Sequence, residues 1–299
     1  TLAYIPPTIA GIVLAYRKKY LLGAIVTALF IALQIQSNHV QMSYYFLFVI
    51  LFMVGAFFEE AWRKKELPHF FKASAILVVA ALIGVSTNLS NLYHTYEYSK
   101  ETMRGKSELV HEGPKAEQTS SGLDRDYITQ WSYGIGETLS LFVPNVRGGA
   151  SVPLSENKAA MEKANPMYNG LYSQITQYFG DQPMTSGPVY VGAFVMALFI
   201  LGCFIVKGPM KWALLGATLF SILLSWGKNF MPLTDFFIDY IPMYNKFRAV
   251  SSILVIAEFT IPLLAIFALK AIIDKPEVLK QNRRGVIISF ALTAGVALI

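Results

Sequence analysis

The sequence predicts an all-α polytopic membrane protein with about eight transmembrane helices in two groups of four, separated by a large extracytoplasmic loop region. Two observations predict it. The first is the length of the apolar runs at residues 2–16, 20–35, 42–58, 73–92, 189–206, 212–226, 250–269 and 286–299. A helix rises about 1.5 Å per residue, so ~20 apolar residues cross a hydrocarbon core of ~30 Å, and the shorter runs need tilt or flanking aromatics. The second is bulk composition: hydrophobic residues make up 54% of the chain, and mean hydropathy is +0.46. The core of a soluble fold of this size would be too small to hide that much apolar surface. The implied organisation is a first helix group at 1–92, a loop region at 93–188 and a truncated second helix group at 189–299. Thr1 stands where an initiating Met would be and Ile299 falls inside an apolar run, so the chain reads as an internal fragment.

Charge sets the expected orientation. Alternate loops hold Arg17, Lys18 and Lys19, then Arg63, Lys64, Lys65 and Lys72, then Lys207 and Lys211, then Lys270, Lys275, Lys280, Arg283 and Arg284. These fourteen bases face only five acids, which marks their side as cytoplasmic. The loop region at 93–188 is net acidic, with eleven acids against eight bases, and falls on the opposite side. The net charge of +6 is therefore topological, and no nucleic-acid partner follows from it.

Taken in order, the first group opens with Pro6-Pro7, which together with Pro262 in the second group are the expected helix breakers. The turn at 36–41 is uncharged and carries Asn38, His39 and Gln41. The fourth run reads as continuing in helix through Arg104, because Thr87, Ser90/Asn91, His94, Glu97, Glu101 and Arg104 recur at spacings of three and four. That stripe is either a solvated face or the lining of a cavity at the membrane boundary. Residues 105–123 read as a mobile polar loop, and Gly113–Pro114 and Asn165–Pro166 mark segment boundaries. The glycines after Trp131 lack a preceding strand and a following Gly-Lys-Ser/Thr, which excludes a P-loop or dinucleotide fingerprint. Cys203 inside an apolar run reads as a small buried hydrophobe. Glu258 lies about eight residues into a membrane run, where an acid costs at least ~2.5 kcal/mol, so it needs a partner: an interhelical hydrogen bond or a functional one.

Several strings look familiar. Asn38-His-Val-Gln-Met-Ser-Tyr44, Asn91-Leu-Tyr-His-Thr-Tyr-Glu-Tyr-Ser-Lys-Glu-Thr-Met-Arg-Gly105, Trp131-Ser-Tyr-Gly, Tyr178-Phe-Gly-Asp-Gln-Pro-Met-Thr-Ser-Gly-Pro188 and Tyr244-Asn-Lys-Phe-Arg248 resemble the YfhO-type bacterial membrane proteins, in their Bacteroidetes version. That family is similar to GT-C glycosyltransferases. The resemblance implies a multi-pass protein of the bacterial inner membrane that uses a polyprenyl-phosphate sugar donor and a cell-surface glycan or lipid acceptor on the extracytoplasmic side. It also implies a catalytic acid in a first external loop, which would precede Thr1, so no residue here is assigned as the base.

For such a donor the departing phosphate needs positive charge, and Arg248 and Lys246 stand just before a membrane run, with Arg104 and Arg147 as further candidates. The plainer reading is snorkelling, or pairing with Asp235 or Asp239. Glu137 and Asp181 either orient acceptor hydroxyls or cap turns, with Gln182 beside Asp181 in the same string and Glu97 on the polar stripe as companions. His39 and His94 are structural or hydrogen-bond sugar or phosphate; two histidines do not make a metal site. No cofactor is evident, and the use of a divalent metal stays open. The competing functions are a transporter or lipid flippase, which would show broken helices and internal repeats, and a structural or assembly protein.

Overall fold

The computed structural model describes residues 1–102, 104–105 and 122–298. Among them the regular structure is helical, with two isolated β-bridges and no strand. The predicted loop at 105–123, including Gly113–Pro114, lies almost wholly outside the described residues. Three helices, Val40–Arg63, Leu67–Ser86 and Val250–Asp274, are long and apolar enough to cross a membrane, and a fourth span results if the bent pair Pro209–Ser225 and Gly227–Tyr240 counts as one. The chain forms two compact units. One comprises Thr1–Arg125, Lys207–Leu219 and Pro242–Phe247; the other comprises Asp126–Val206, Phe220–Ile241 and Arg248–Ile299.

In the first unit α1 (Ile5–Tyr16), α2 (Tyr20–Gln36), α3 (Val40–Arg63) and α4 (Leu67–Ser86) follow one another through tight turns. Lys18, Asn38 and Lys65 take left-handed backbone at these turns, ending each helix so that the next can double back. Pro6 and Pro7 fall in the first turn of α1, where no intrahelical N–H is lost, so they start the helix rather than break it. Helices α1 and α2 meet through small residues. A Cβ on Gly23 would lie 2.6 Å from the Ala15 backbone nitrogen, and one on Gly11 would lie 2.8 Å from that of Thr27. With no hydrophobic drive between helices in lipid, such close backbone contact supplies the packing energy. Gly84 of α4 repeats the device against the Ala28 carbonyl of α2.

The predicted continuous helix from 73 to Arg104 is broken. Helix α4 stops at Ser86, and α5 (Leu89–Lys100) begins after Thr87 and Asn88. The Thr87 hydroxyl donates to the Gly84 carbonyl at 2.8 Å and Asn88 Nδ2 to the Ala32 carbonyl at 3.1 Å, side-chain bonds that compete with the helical ladder.

In the second unit α6 (Ala193–Ile205) packs on the long helix α9 (Val255–Asp274), with Gly202 against Leu264 and Ala268. Ser289 of α10 (Arg283–Ala297) donates to the Ala197 carbonyl of α6. Pro262 sits inside α9 without ending it. A sharper break comes where the predicted run 212–226 stops: α7 (Pro209–Ser225) ends at a bend of 109°, followed by a short 3-10 turn and α8 (Met231–Tyr240), a helix that no apolar run announced. Gly227 makes this corner. Its φ is +47°, and a side chain there would run into Ser132 and Val250.

Candidate functional site

The site grows from the segment 126–188, a run of short helical turns in the second unit. Such a segment has few backbone ladders of its own, so its polar groups must find partners elsewhere. The Trp131-Ser-Tyr-Gly string finds them at helix ends. Tyr133 N donates to the Ser225 carbonyl at 2.8 Å, Asn229 Nδ2 to the Tyr133 carbonyl at 3.0 Å, and Ser251 N to the Trp131 carbonyl at 3.0 Å. Ser132, fully buried, accepts from Lys228 N at 2.8 Å and donates to the Thr129 carbonyl at 2.5 Å. Trp131 Nε1 in turn donates to the Met184 carbonyl at 3.2 Å. Two of the strings noted in the sequence, 131–134 and 178–188, are thereby brought together.

At the centre lies Glu137, only 4% exposed. Its carboxylate accepts from Gly134 N at 2.6 Å, from the Tyr178 hydroxyl at 2.6 Å and from Asp181 N at 3.4 Å. The approach is so close that a side chain on Gly180 would collide with both Glu137 and the Tyr178 hydroxyl. Tyr178 also accepts from Gln182 N at 2.9 Å. Burial, then the bond to Glu137, holds the Tyr178 hydroxyl well above the ordinary phenol range, which keeps it a donor. Tyr133 shares a 2.7 Å hydrogen bond with Ser140, and Ser140 donates to the Glu137 carbonyl. Burial pushes the Tyr133 hydroxyl up to about 12, with the carboxylates of Glu137 and Glu258 adding to the rise and the Ser140 bond opposing it.

Tyr133, Glu137, Arg147, Tyr178, Gln182 and Thr185 line a narrow cleft with enclosed room for about one water molecule. The Arg147 guanidinium lies over the Gly136 backbone, where a Cβ would be 2.5 Å from Nη2, and no side chain or carbonyl among the described residues takes its hydrogen bonds. Gln182 Oε1 accepts from the Ser251 hydroxyl at 3.1 Å. Asp181 is exposed and accepts from Asn229 Nδ2 at 3.1 Å, while its carbonyl accepts from Lys228 Nζ at 3.3 Å. Arg248 donates to the Tyr127 hydroxyl at 2.7 Å and lies over the rings of Tyr127 and Trp131, at 5.6 and 5.7 Å. The cleft thus joins a fixed, fully engaged carboxylate to a guanidinium with donors to offer, an arrangement suited to anion binding rather than proton transfer by Glu137.

Of the other candidates, all but Glu258 belong to the first unit. His39 is exposed at the start of α3, where its side chain caps nothing, and His94 is exposed on α5, edge-on to Tyr93 at 5.7 Å. Glu97 pairs with Lys100 at 2.7 Å, the solvated-face reading of the stripe. Arg104 and Lys246 lie together, each bonded to the other's backbone. Glu258 is exposed on α9, and among the described residues no hydrogen bond or ion pair reaches its carboxylate, so the partner expected from its depth is not supplied by these residues. Among the described residues no group of three or more His, Cys, Asp and Glu side chains could hold a metal ion.

Sequence reasoning named Glu137 and Asp181 but not the Tyr178 hydroxyl that, beside the Asp181 amide, bonds Glu137. Tyr178 lies 41 positions away and Tyr127 lies 121 from Arg248, distances at which no spacing rule operates. The available signal was the pairing of tyrosines with glycines in both strings. No protein-family model, curated protein or solved structure matches the chain.

Proposed function

We propose that this chain is part of a membrane glycosyltransferase-like protein that transfers sugar from a polyprenyl-phosphate donor to a cell-surface polymer or lipid on the extracytoplasmic side. The observation that carries the reading is the cleft, in which the uncommitted guanidinium of Arg147 stands beside the rigid Glu137 network. A lipid phosphate leaving the sugar gathers negative charge, and a fixed guanidinium stabilises it where water is scarce. Arg248, braced by Tyr127 and Trp131, is the second cation of this reading, and Asp181 and Gln182 are the groups for acceptor hydroxyls. In the same proposal the shorter apolar helices α1, α2, α6 and α10 join the long ones as tilted spans, giving eight in two groups of four, with the basic loops cytoplasmic.

A second reading has its own observation. The 109° bend between α7 and α8 is the kind of broken helix on which transporters build substrate sites, so a transporter or lipid flippase is the alternative.

The test is transfer from a polyprenyl-phosphate sugar donor by the whole protein. Arg147→Ala is expected to lower the rate about a hundredfold at unchanged abundance, and Arg147→Lys to recover part of it, keeping the charge and losing the fork. A normal rate in Arg147→Ala removes the site assignment. Absence of transfer from every such donor gives the transporter reading first place.

A further inference from the structure

Arg104 and Lys246 form a second cationic site, built wholly from the first unit and independent of the transferase reading. Arg104 Nε donates to the Lys246 carbonyl at 2.9 Å, and Lys246 Nζ donates to the Arg104 carbonyl at 2.6 Å. This exchange holds two like charges side by side although 142 positions separate them. Neutral carbonyls do not cancel the charges, and among the described residues no carboxylate pairs with either. The guanidinium keeps its terminal N–H groups and the ammonium its remaining hydrogens for a ligand. A site of two adjacent cations with unused donors suits a phosphate.

The surroundings say where that phosphate comes from. Phe247, next to Lys246, packs on Tyr44 at 5.1 Å and on Tyr45 at 6.4 Å, and the Tyr44 hydroxyl donates to the Pro242 carbonyl at 2.9 Å. Both tyrosines lie at the beginning of α3, one of the membrane-long helices, so the cations sit at the end of a span. Helix α5, which leads to Arg104, turns Leu89, Tyr93 and Tyr96 outward at 60%, 58% and 61% exposure, three and four residues apart. An aromatic belt of this kind lies at the level of lipid headgroups. We propose that Arg104 and Lys246 together bind the phosphate of an anionic membrane phospholipid. Burial already holds the Lys246 ammonium below the ordinary lysine range, and a bound anion would relieve that desolvation.

The experiment follows thermal unfolding of the purified protein in neutral detergent with added phosphatidylglycerol, phosphatidylcholine or inorganic phosphate. Phosphatidylglycerol is expected to raise the Tm of the wild type and phosphatidylcholine to leave it unchanged. The double variant Arg104→Ala/Lys246→Ala should lose the response, while Lys158→Ala/Lys163→Ala, which removes the same charge from exposed loop positions, should keep it. Should the first double variant fail to fold, the single variants Arg104→Gln and Lys246→Gln take its place, each expected to retain phosphatidylglycerol about tenfold more weakly by native mass spectrometry. A response that survives these substitutions, or is lost equally in the Lys158/Lys163 pair, overturns the site. Equal stabilisation by inorganic phosphate at the same concentration overturns the lipid as its occupant.

Discussion

The helices α1, α2 and α4 and the segment 126–188 are held together by opposite means. In the helices, backbones touch across Gly11, Gly23 and Gly84, and His69 adds bonds to the Tyr20 hydroxyl and the Tyr16 carbonyl at one end. In the segment, a buried carboxylate does the work of a core, collecting the amides of residues 134 and 181 and the hydroxyl of Tyr178. The difference is one of redundancy. Helix contacts repeat every few residues and share the load, whereas in the segment the turns at 134–137 and 178–181 meet on one side chain.

That asymmetry is broken most directly at Glu137. Glu137→Ala leaves three buried or half-buried donors without an acceptor, at roughly 1–3 kcal/mol for each, so a loss of about 3 kcal/mol or more is expected in detergent unfolding. Glu137→Gln should cost clearly less, because its carbonyl can serve both amides and the Tyr178 hydroxyl can rotate to accept from its NH₂. Equal losses for Ala and Gln would mean that the space filled, not the hydrogen bonds, fixes the segment.

The helix side is tested by adding a methyl group. Gly23→Ala forces a Cβ to within 2.6 Å of the Ala15 nitrogen and 2.8 Å of the Gly11 carbonyl oxygen, both backbone atoms that cannot swing aside. Helices α1 and α2 must then separate, at an expected cost of about 2 kcal/mol. Gly55, with nothing within 4 Å of its Cβ position, is the matched control, and Gly55→Ala should be neutral or slightly stabilising through helix propensity. If the two variants unfold alike, close approach is not what holds α1 to α2.

The same asymmetry explains what was legible beforehand. Apolar runs located the helices because each run meets the requirement within itself; both ends of α2 and the start of α3 fell within two residues of their predicted limits, while α3 ran on to Arg63 through Glu59 and Glu60. The break at Thr87–Asn88 was missed because it depends on a carbonyl of α2 that accepts from Asn88, a long-range partner invisible to periodicity. The end of α7 was legible, since the apolar run stops at 226; what was not is that α8 follows round the Gly227 corner, which Ser132 and Val250 close. In the site, position put Arg248 ahead of Arg147 in the sequence, because Arg248 stands just before a membrane run. The structure sets Arg248 against Tyr127 and Trp131 and leaves the Arg147 guanidinium at the cleft, contacts that no spacing along the chain announces.

The smallest expected effect concerns the ring that closes this network, and it is read from pH. The Tyr133 hydroxyl is pushed from 10.0 up to about 12, by burial first and by the carboxylates of Glu137 and Glu258 after it. The folded protein therefore holds this proton more tightly than the unfolded chain does. Below pH 10 both states keep it and stability is unaffected; as pH rises from about 10 towards 12 the unfolded state ionises first, and stability falls. By about pH 11 the Tyr133 share of that loss is on the order of 1 kcal/mol. Tyr178 and Tyr244 are raised in the same direction, so the wild type alone does not isolate the residue. The comparison that does is Tyr133→Phe, which removes one titrating group and keeps the ring, with the other tyrosines present in both proteins. Unfolding free energies measured from neutral pH to about pH 11 should converge, the variant starting lower for want of the Ser140 bond and losing less as the pH rises. Parallel pH profiles would show that Tyr133 titrates as it does in water and that the centre of the segment is wetter than its hydrogen bonds imply.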